Sequence, residues 1–244
     1  MSNLDICVCT YNKLEYTKQF IECVERHTKI DHKYIIIDDG STDETYQFLE
    51  SLSKDKFIID RNENNEGYLL SMNKALSKTT ADFICVINND VLISKSCLDN
   101  LIDFIELKKI WAASPRIIFG DDIYNKETDW YDFVEKRSNE LILDEAKEGF
   151  LYGCLFVMSR ECYEIIGGFD ERFVPFWFED NDYILRLKEV NHDPWISFGS
   201  FAFHYVNTSL VQNEHLNEIW VKNLGKFRKK WSISDTVENF DIPL

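Results

Sequence analysis

Proline and glycine are scarce, with four and nine residues in a chain of 244, which leaves little material for linkers or low-complexity tails. No segment repeats at a solenoid or propeller period. Long apolar runs are missing as well. Phe83-Ile84-Cys85-Val86-Ile87 is typical of the apolar stretches, far short of the roughly 20 residues that span a bilayer. The N-terminus has no basic region leading into an apolar stretch, so the sequence predicts no signal peptide and a cytoplasmic location. There is no C-x-x-C pair, and the seven cysteines are odd in number and lie mostly within apolar runs. That pattern predicts buried, reduced thiols rather than a disulfide framework or a zinc site. Positive charge is also in deficit: 27 Lys and Arg face 43 Asp and Glu, a formal net charge of −16. Proteins that track phosphates along nucleic acid need the opposite balance, so DNA and RNA are disfavoured as partners. The excess acid serves solubility.

What is present is core material, 45% apolar and 14% aromatic, enough for one compact domain. Short apolar runs alternate with amphipathic stretches. Strands are predicted at 4–9, 34–37, 57–60 and 82–87, with helices at 13–27, after Gly40, after Gly67 and at 95–107. Ser41 and Glu44 have capping-box spacing at the second helix. The later part reads as a strand at 153–158, helices at 160–166 and 179–190, and a strand at 195–204. Residues 120–148, rich in charge and aromatics without a period, read as a loop with short helices. The β-α order predicts an α/β fold: a Rossmann-like, mostly parallel central sheet with helices on both faces. Ligands bind such sheets beyond the carboxyl ends of the strands. The residues there are Thr10-Tyr11-Asn12, Asp38-Asp39-Gly40-Ser41 and Asn88-Asn89-Asp90.

Cys9-Thr10-Tyr11-Asn12, Asp38-Asp39-Gly40-Ser41-Thr42-Asp43 and Asn65-Glu66-Gly67 with Asn73 resemble the nucleotide-binding half of family 2 glycosyltransferases. Gly167-Gly168-Phe169-Asp170-Glu171 and Glu179-Asp180-Asn181-Asp182, with Arg186, resemble its acceptor half. Five pieces in the right order over residues 4–209 make the resemblance specific. It implies a GT-A-type domain over 1–212, with a nucleotide-binding half at about 1–92, an acceptor half at about 93–212 and a helical extension at 213–244. It also implies an inverting transfer of sugar from a nucleotide-sugar donor, UDP- or dTDP-linked, to a glycan or lipid-linked acceptor.

On that resemblance Thr10, Tyr11, Asn12, Asp39, Asn65, Gly67, Asn73, Asn88 and Asn89 fall on the donor. Asp39 would accept from the N–H of the base; the alternative is an Asp that holds the turn at Gly40. Asn88-Asn89-Asp90 occupies the place of the family's Asp-x-Asp, with Asn88 departing from it, so Asp90 is the metal ligand. A departing diphosphate needs its charge neutralised, which Mn²⁺ or Mg²⁺ supplies as a Lewis acid. A lone His after an apolar strand is ordinarily a hydrogen-bonded core residue; the resemblance makes His204 a second ligand. It places the general base at Asp180, with Glu179 as the alternate, although acids also favour a first helical turn for the macrodipole. Trp177 either stacks on an acceptor sugar or fills core space. Residues 216–231 carry Leu216, Trp220, Leu224, Phe227 and Trp231 on one face among five Lys and Arg. That segment either touches an anionic membrane or packs on the domain. Competing readings are a non-catalytic nucleotide-sugar or glycan-binding protein, a transferase on modified nucleic acid, and a nucleotidyltransferase. The last lacks its glycine-rich phosphate loop.

Overall fold

The computed structural model describes residues 2–120, 146–205 and 215–234. Four strands, β1 (Leu4–Thr10), β2 (His32–Asp38), β3 (Phe57–Arg61) and β4 (Phe83–Ile87), pair in parallel in the order β3-β2-β1-β4. They are joined through α1 (Leu14–His27), α2 (Thr45–Glu50) and α3 (Tyr68–Leu76). After β5 (Val91–Ile93) and α4 (Cys97–Lys108) come β6 (Ala112–Gly120), β7 (Ala146–Glu148) and β8 (Leu155–Ser159). Then follow α5 (Arg160–Ile166), a 3-10 turn (Glu171–Phe173), α6 (Glu179–Glu189), β9 (Trp195–Tyr205) and α7 (Leu216–Trp231).

The parallel half matches the βα alternation of the sequence. Beyond β4 the sheet is mixed. β8 runs antiparallel to both β4 and β6, β6 runs parallel to β9, and β5 and β7 pair antiparallel with β9. The expected loop at 120–148 is bounded by strand residues at both ends, and 121–145 lie outside the described residues.

The strands are apolar on both faces because helices cover both. Ile6, Val8, Tyr34, Ile36, Cys85 and Ile87 face a core shared with α1 and α4. Their neighbours Cys7, Ile35, Ile37, Ile84 and Val86 face a second core with α3, α6 and α7. This is the period of two of a pleated strand with both sides covered. Six of the seven cysteines are buried and all are free; burial pushes the thiols of Cys23 and Cys162 up to about 12.

The predicted capping box does not form. Ser41 Oγ instead accepts from Asn12 N (2.8 Å), and α2 starts with Asp43 Oδ1 accepting from Thr45 N (3.0 Å). The apolar face of α7 is turned inward. Phe227 is fully buried against Phe173 and Phe178, while Lys222, Lys229 and Val221 face outward. No helix among the described residues is long and apolar enough to cross a membrane.

Candidate active site

Because β1, β2 and β4 are parallel and in register, their carboxyl ends leave the sheet along one edge, Thr10 standing opposite Asp38. The Thr10 carbonyl accepts from Asp39 N (2.8 Å), and the buried Thr10 hydroxyl has no partner among the described residues. Tyr11 is exposed. Asn12, placed with the donor by resemblance, braces two loops. Its Oδ1 accepts from Thr42 N at 2.8 Å and Asp43 N at 3.3 Å.

The two adjacent acids divide their work. Asp38 holds the turn, its Oδ2 accepting from Ser41 N (3.1 Å) and lying 3.3 Å from Arg61 Nε; burial still raises its pKa. Asp39 reaches across to the next loop. Its Oδ1 accepts from Asn62 Nδ2 (2.8 Å) and Glu66 N (2.9 Å), and its Oδ2 from Gly67 N (2.9 Å). A carboxylate has about four lone-pair directions, so one remains open for a base N–H. Asn65 Oδ1 also accepts from Gly67 N (3.1 Å). Gly67 has φ 93°, and a Cβ there would lie 2.7 Å from Pro175 Cβ, so this position requires glycine. Both ends of the Asn73 amide go to the backbone of Phe169 at 2.8 Å, so Asn73 braces the two halves of the chain.

At the end of β4, Asn88 N donates to the Cys154 carbonyl (3.0 Å), and Asn88 Oδ1 is buried without a partner among the described residues. Asn89 Nδ2 donates to Thr17 Oγ1 on α1 (3.1 Å). The antiparallel pairing of β5 with β9 sets Val91 opposite His204 and brings His204 Nε2 to 3.2 Å from Asp90 Oδ1. Burial disfavours a charged ring, but Cys154 and Asp90 together push His204 up to about 10. The Asp90 carboxylate oxygen suits Mn²⁺ or Mg²⁺, and the His204 imidazole would join it as a ligand after losing the proton it shares with Asp90. Among the described residues no group of three or more His, Cys, Asp or Glu surrounds one point. Asp90 and His204 are the side chains that would hold such an ion.

The acid pair opens α6. Glu179 is buried with Oε2 unpartnered among the described residues, and burial followed by the adjacent Asp180 raises it to about 8. Asp180 is half-buried and also raised by burial, while its Oδ1 accepts from Asn181 N (2.7 Å) and Nδ2 (3.0 Å). A Cβ on Gly153 would sit 2.8 Å from Asp180 Oδ2, so only glycine lets the loop approach this closely. Gly153 adjoins Cys154, which bonds Asn88, and the Gly153 carbonyl accepts from Tyr68 Oη (3.4 Å). Tyr68 follows Gly67, which bonds Asp39. A short relay of contacts thus joins Asp39, the strand end before Asp90, and Asp180.

Trp177 is half-buried, its ring edge-on to Phe176 at 5.0 Å. Asp182 is fully buried as a structural node, held by Arg186 Nε (2.9 Å), Trp231 Nε1 (2.9 Å) and Lys230 Nζ (2.6 Å). Sequence reasoning missed Asn62, Tyr68 and Gly153. Asn62 lies in a polar stretch that flagged a loop but no partner, and the other two carry no signal without the fold.

The family model for Glycosyl transferase family 2 matches residues 5–167. The chain belongs to glycosyltransferase family 2. An uncharacterized glycosyltransferase of Rickettsia bellii is 28% identical over 105 residues, 43% of this chain and 15% of its own length. One of Haemophilus influenzae is 24% identical over 252 residues, covering 98% of this chain and 94% of its own. The O-antigen chain rhamnosyltransferase WbaN of Salmonella anatum is 24% identical over 188 residues, 71% of this chain and 58% of that protein. The chain therefore spans a small part of some glycosyltransferase relatives and nearly all of others. Among solved structures, GalNAc-T7 with UDP, GalNAc and Mn²⁺ superposes with a TM-score of 0.68 at 14% identity, over 84% of this chain and 44% of that one. S. aureus TarS with UDP-GlcNAc gives 0.64 at 16%, over 89% and 64%. At such identities the likeness shows a shared GT-A glycosyltransferase fold.

Proposed function

We propose that this family 2 glycosyltransferase moves a sugar from a UDP- or dTDP-linked donor to a hydroxyl of a glycan, free or lipid-linked, inverting the anomeric centre. The observation that carries the reading is the contact of Gly153 with Asp180 in a loop whose next residue, Cys154, bonds Asn88. It sets the candidate base beside the strand end where the diphosphate would lie. Asp39 would read the base with its remaining lone pair, and Thr10 would line the nucleoside. Asp90 and His204 would hold Mn²⁺ or Mg²⁺, which when bound neutralises the diphosphate as it leaves. Asp180 would take the proton of the acceptor hydroxyl. Glu179 would keep its own proton at neutral pH and leave a single anion in the pair. The neighbours' bound UDP species and the rhamnosyltransferase relative support a nucleotide-sugar donor and a glycan product. The chain's acidity weighs against nucleic acid as acceptor.

A thermal-shift screen of UDP-, dTDP- and GDP-sugars with and without Mn²⁺, followed by transfer assays, tests the reading. Asp180→Asn is expected to cut turnover at least ~100-fold, within the range of lost general-base catalysis, with the donor-induced shift retained. Normal turnover by that variant would remove Asp180 as base, activity in excess EDTA would remove the metal role, and donor binding without turnover in the wild type would favour a binding protein.

A further inference from the structure

We infer that α7 is a splint that sets the position of the acid pair, with Asn223 as its central positioning residue. The inference rests on the glycosyl-transfer reading for its consequence in turnover. α7 lies beyond residues 5–167, the span of the family match.

The segment that delivers Glu179 and Asp180 is strained. Trp177 and Phe178, immediately before the pair, both adopt left-handed backbone, with φ 72° and 71°. A non-glycine residue in that region is disfavoured and persists only where the surroundings over-determine it. α7 supplies that determination at three points. Asn223 is fully buried, and its Nδ2 donates to the carbonyls of Phe173 (2.6 Å) and Phe176 (2.8 Å), two main-chain acceptors on the approach to the strained pair. Its Oδ1 accepts from Lys226 Nζ (2.8 Å), which also donates to the Arg172 carbonyl. The Phe178 ring lies 5.4 Å from Phe227 and 5.9 Å from Trp220, so α7 holds the second left-handed residue by its side chain. On the far side of the acid pair, Trp231 Nε1 and Lys230 Nζ both engage Asp182 Oδ1, and Lys230 also reaches Asp170 (2.7 Å). The acids are thus clamped before and after by one helix.

Releasing the clamp lets residues 177–178 relax toward ordinary backbone and carries Asp180 with them. A displacement near 1 Å at a reacting group is worth about 100-fold in rate. Asp90 and His204, which would hold the metal, come from strand ends that α7 does not hold, whereas the Gly67 loop that braces Asp39 lies against Pro175 of the clamped segment.

The test compares wild type, Asn223→Ala and the milder Trp231→Phe by hydrogen exchange, UDP-induced thermal shift and steady-state kinetics. Asn223→Ala is expected to speed amide exchange within residues 173–182 while the β1–β4 strands stay protected, and to lower kcat at least ~10-fold with donor KM within about twofold. Trp231→Phe, which removes one hydrogen bond and keeps the ring packing, should show both effects more weakly. Unchanged exchange at 173–182 in both variants would overturn the splint whether or not the wild type transfers sugar. Faster exchange with unchanged kcat would overturn the positioning role. A wild type inactive on every donor, with the segment loosened in Asn223→Ala, would leave the clamp standing and sink the transferase reading.

Discussion

Glu179 holds its proton to about pH 8, because burial and then the neighbouring Asp180 disfavour its charge, against an ordinary value of 4.5. Between those values the folded chain binds more protons than the unfolded one, so this site lowers stability as pH rises from about 4.5 to about 8. Glu179→Gln removes the titration and keeps the shape. Its melting temperature should match wild type below about pH 4 and exceed it by several degrees at pH 8.5, since ~1 kcal/mol moves the midpoint of a chain this size by ~2–4 °C. Equal melting curves at both pH values would show that Glu179 is not held neutral. The residue scale is also where the sequence was most ambiguous. The Asp38-Asp39 pair was legible as two acids at a strand end, but which one holds the turn and which reaches the 62–67 loop depends on where that loop lies in space. Asn12 and Asn73 carry the family's pattern, yet Asn12 Oδ1 braces Thr42 and Asp43, and both ends of the Asn73 amide go to Phe169.

Elements meet at the active edge through close approaches at glycine, and Gly153 is the one that faces the acid pair. A methyl group there would lie 2.8 Å from Asp180 Oδ2 and 3.0 Å from its Cβ. Gly153→Ala must therefore displace the Asp180 side chain, while the loops after β1 and β2 are not in its path. Kinetics should show kcat falling on the order of 100-fold with donor KM little changed; a wild-type kcat would mean that Asp180 is not the base. The parallel elements were readable because each strand's apolar run and each helix's periodic face are local properties. The direction in which β8 joins β4 was not readable, since alternation of side chains is the same in parallel and antiparallel pairing. The capping-box spacing of Ser41 and Glu44 misled for a related reason. The Ser41 hydroxyl had a better-placed donor in Asn12 N, 29 residues away in sequence.

Across the whole molecule, the net charge of −16 and the inward turn of α7 decide how the protein meets surfaces. The apolar stripe that would enter a bilayer is spent on Phe173 and Phe178, and Lys226 and Lys230 are spent on Arg172, Asp170 and Asp182. Lys222 and Lys229 remain outward, with Val221 beside them. Co-sedimentation with anionic vesicles is expected to be weak at low salt and absent at ~0.15 M, where the Debye length is about 8 Å. Retention at that salt would require α7 to leave the domain. By itself the sequence determined the family, the buried thiols, the parallel half of the sheet and the chemical identity of the acids at its edge, because each is written in adjacent residues and local periodicity. Tertiary structure alone decided that Asp90 meets His204, that Gly153 admits Asp180 and that a helix beyond the matched region clamps the acid pair. Those contacts join residues from 27 to 114 positions apart, and chain folding, not spacing, sets which side chains share a site.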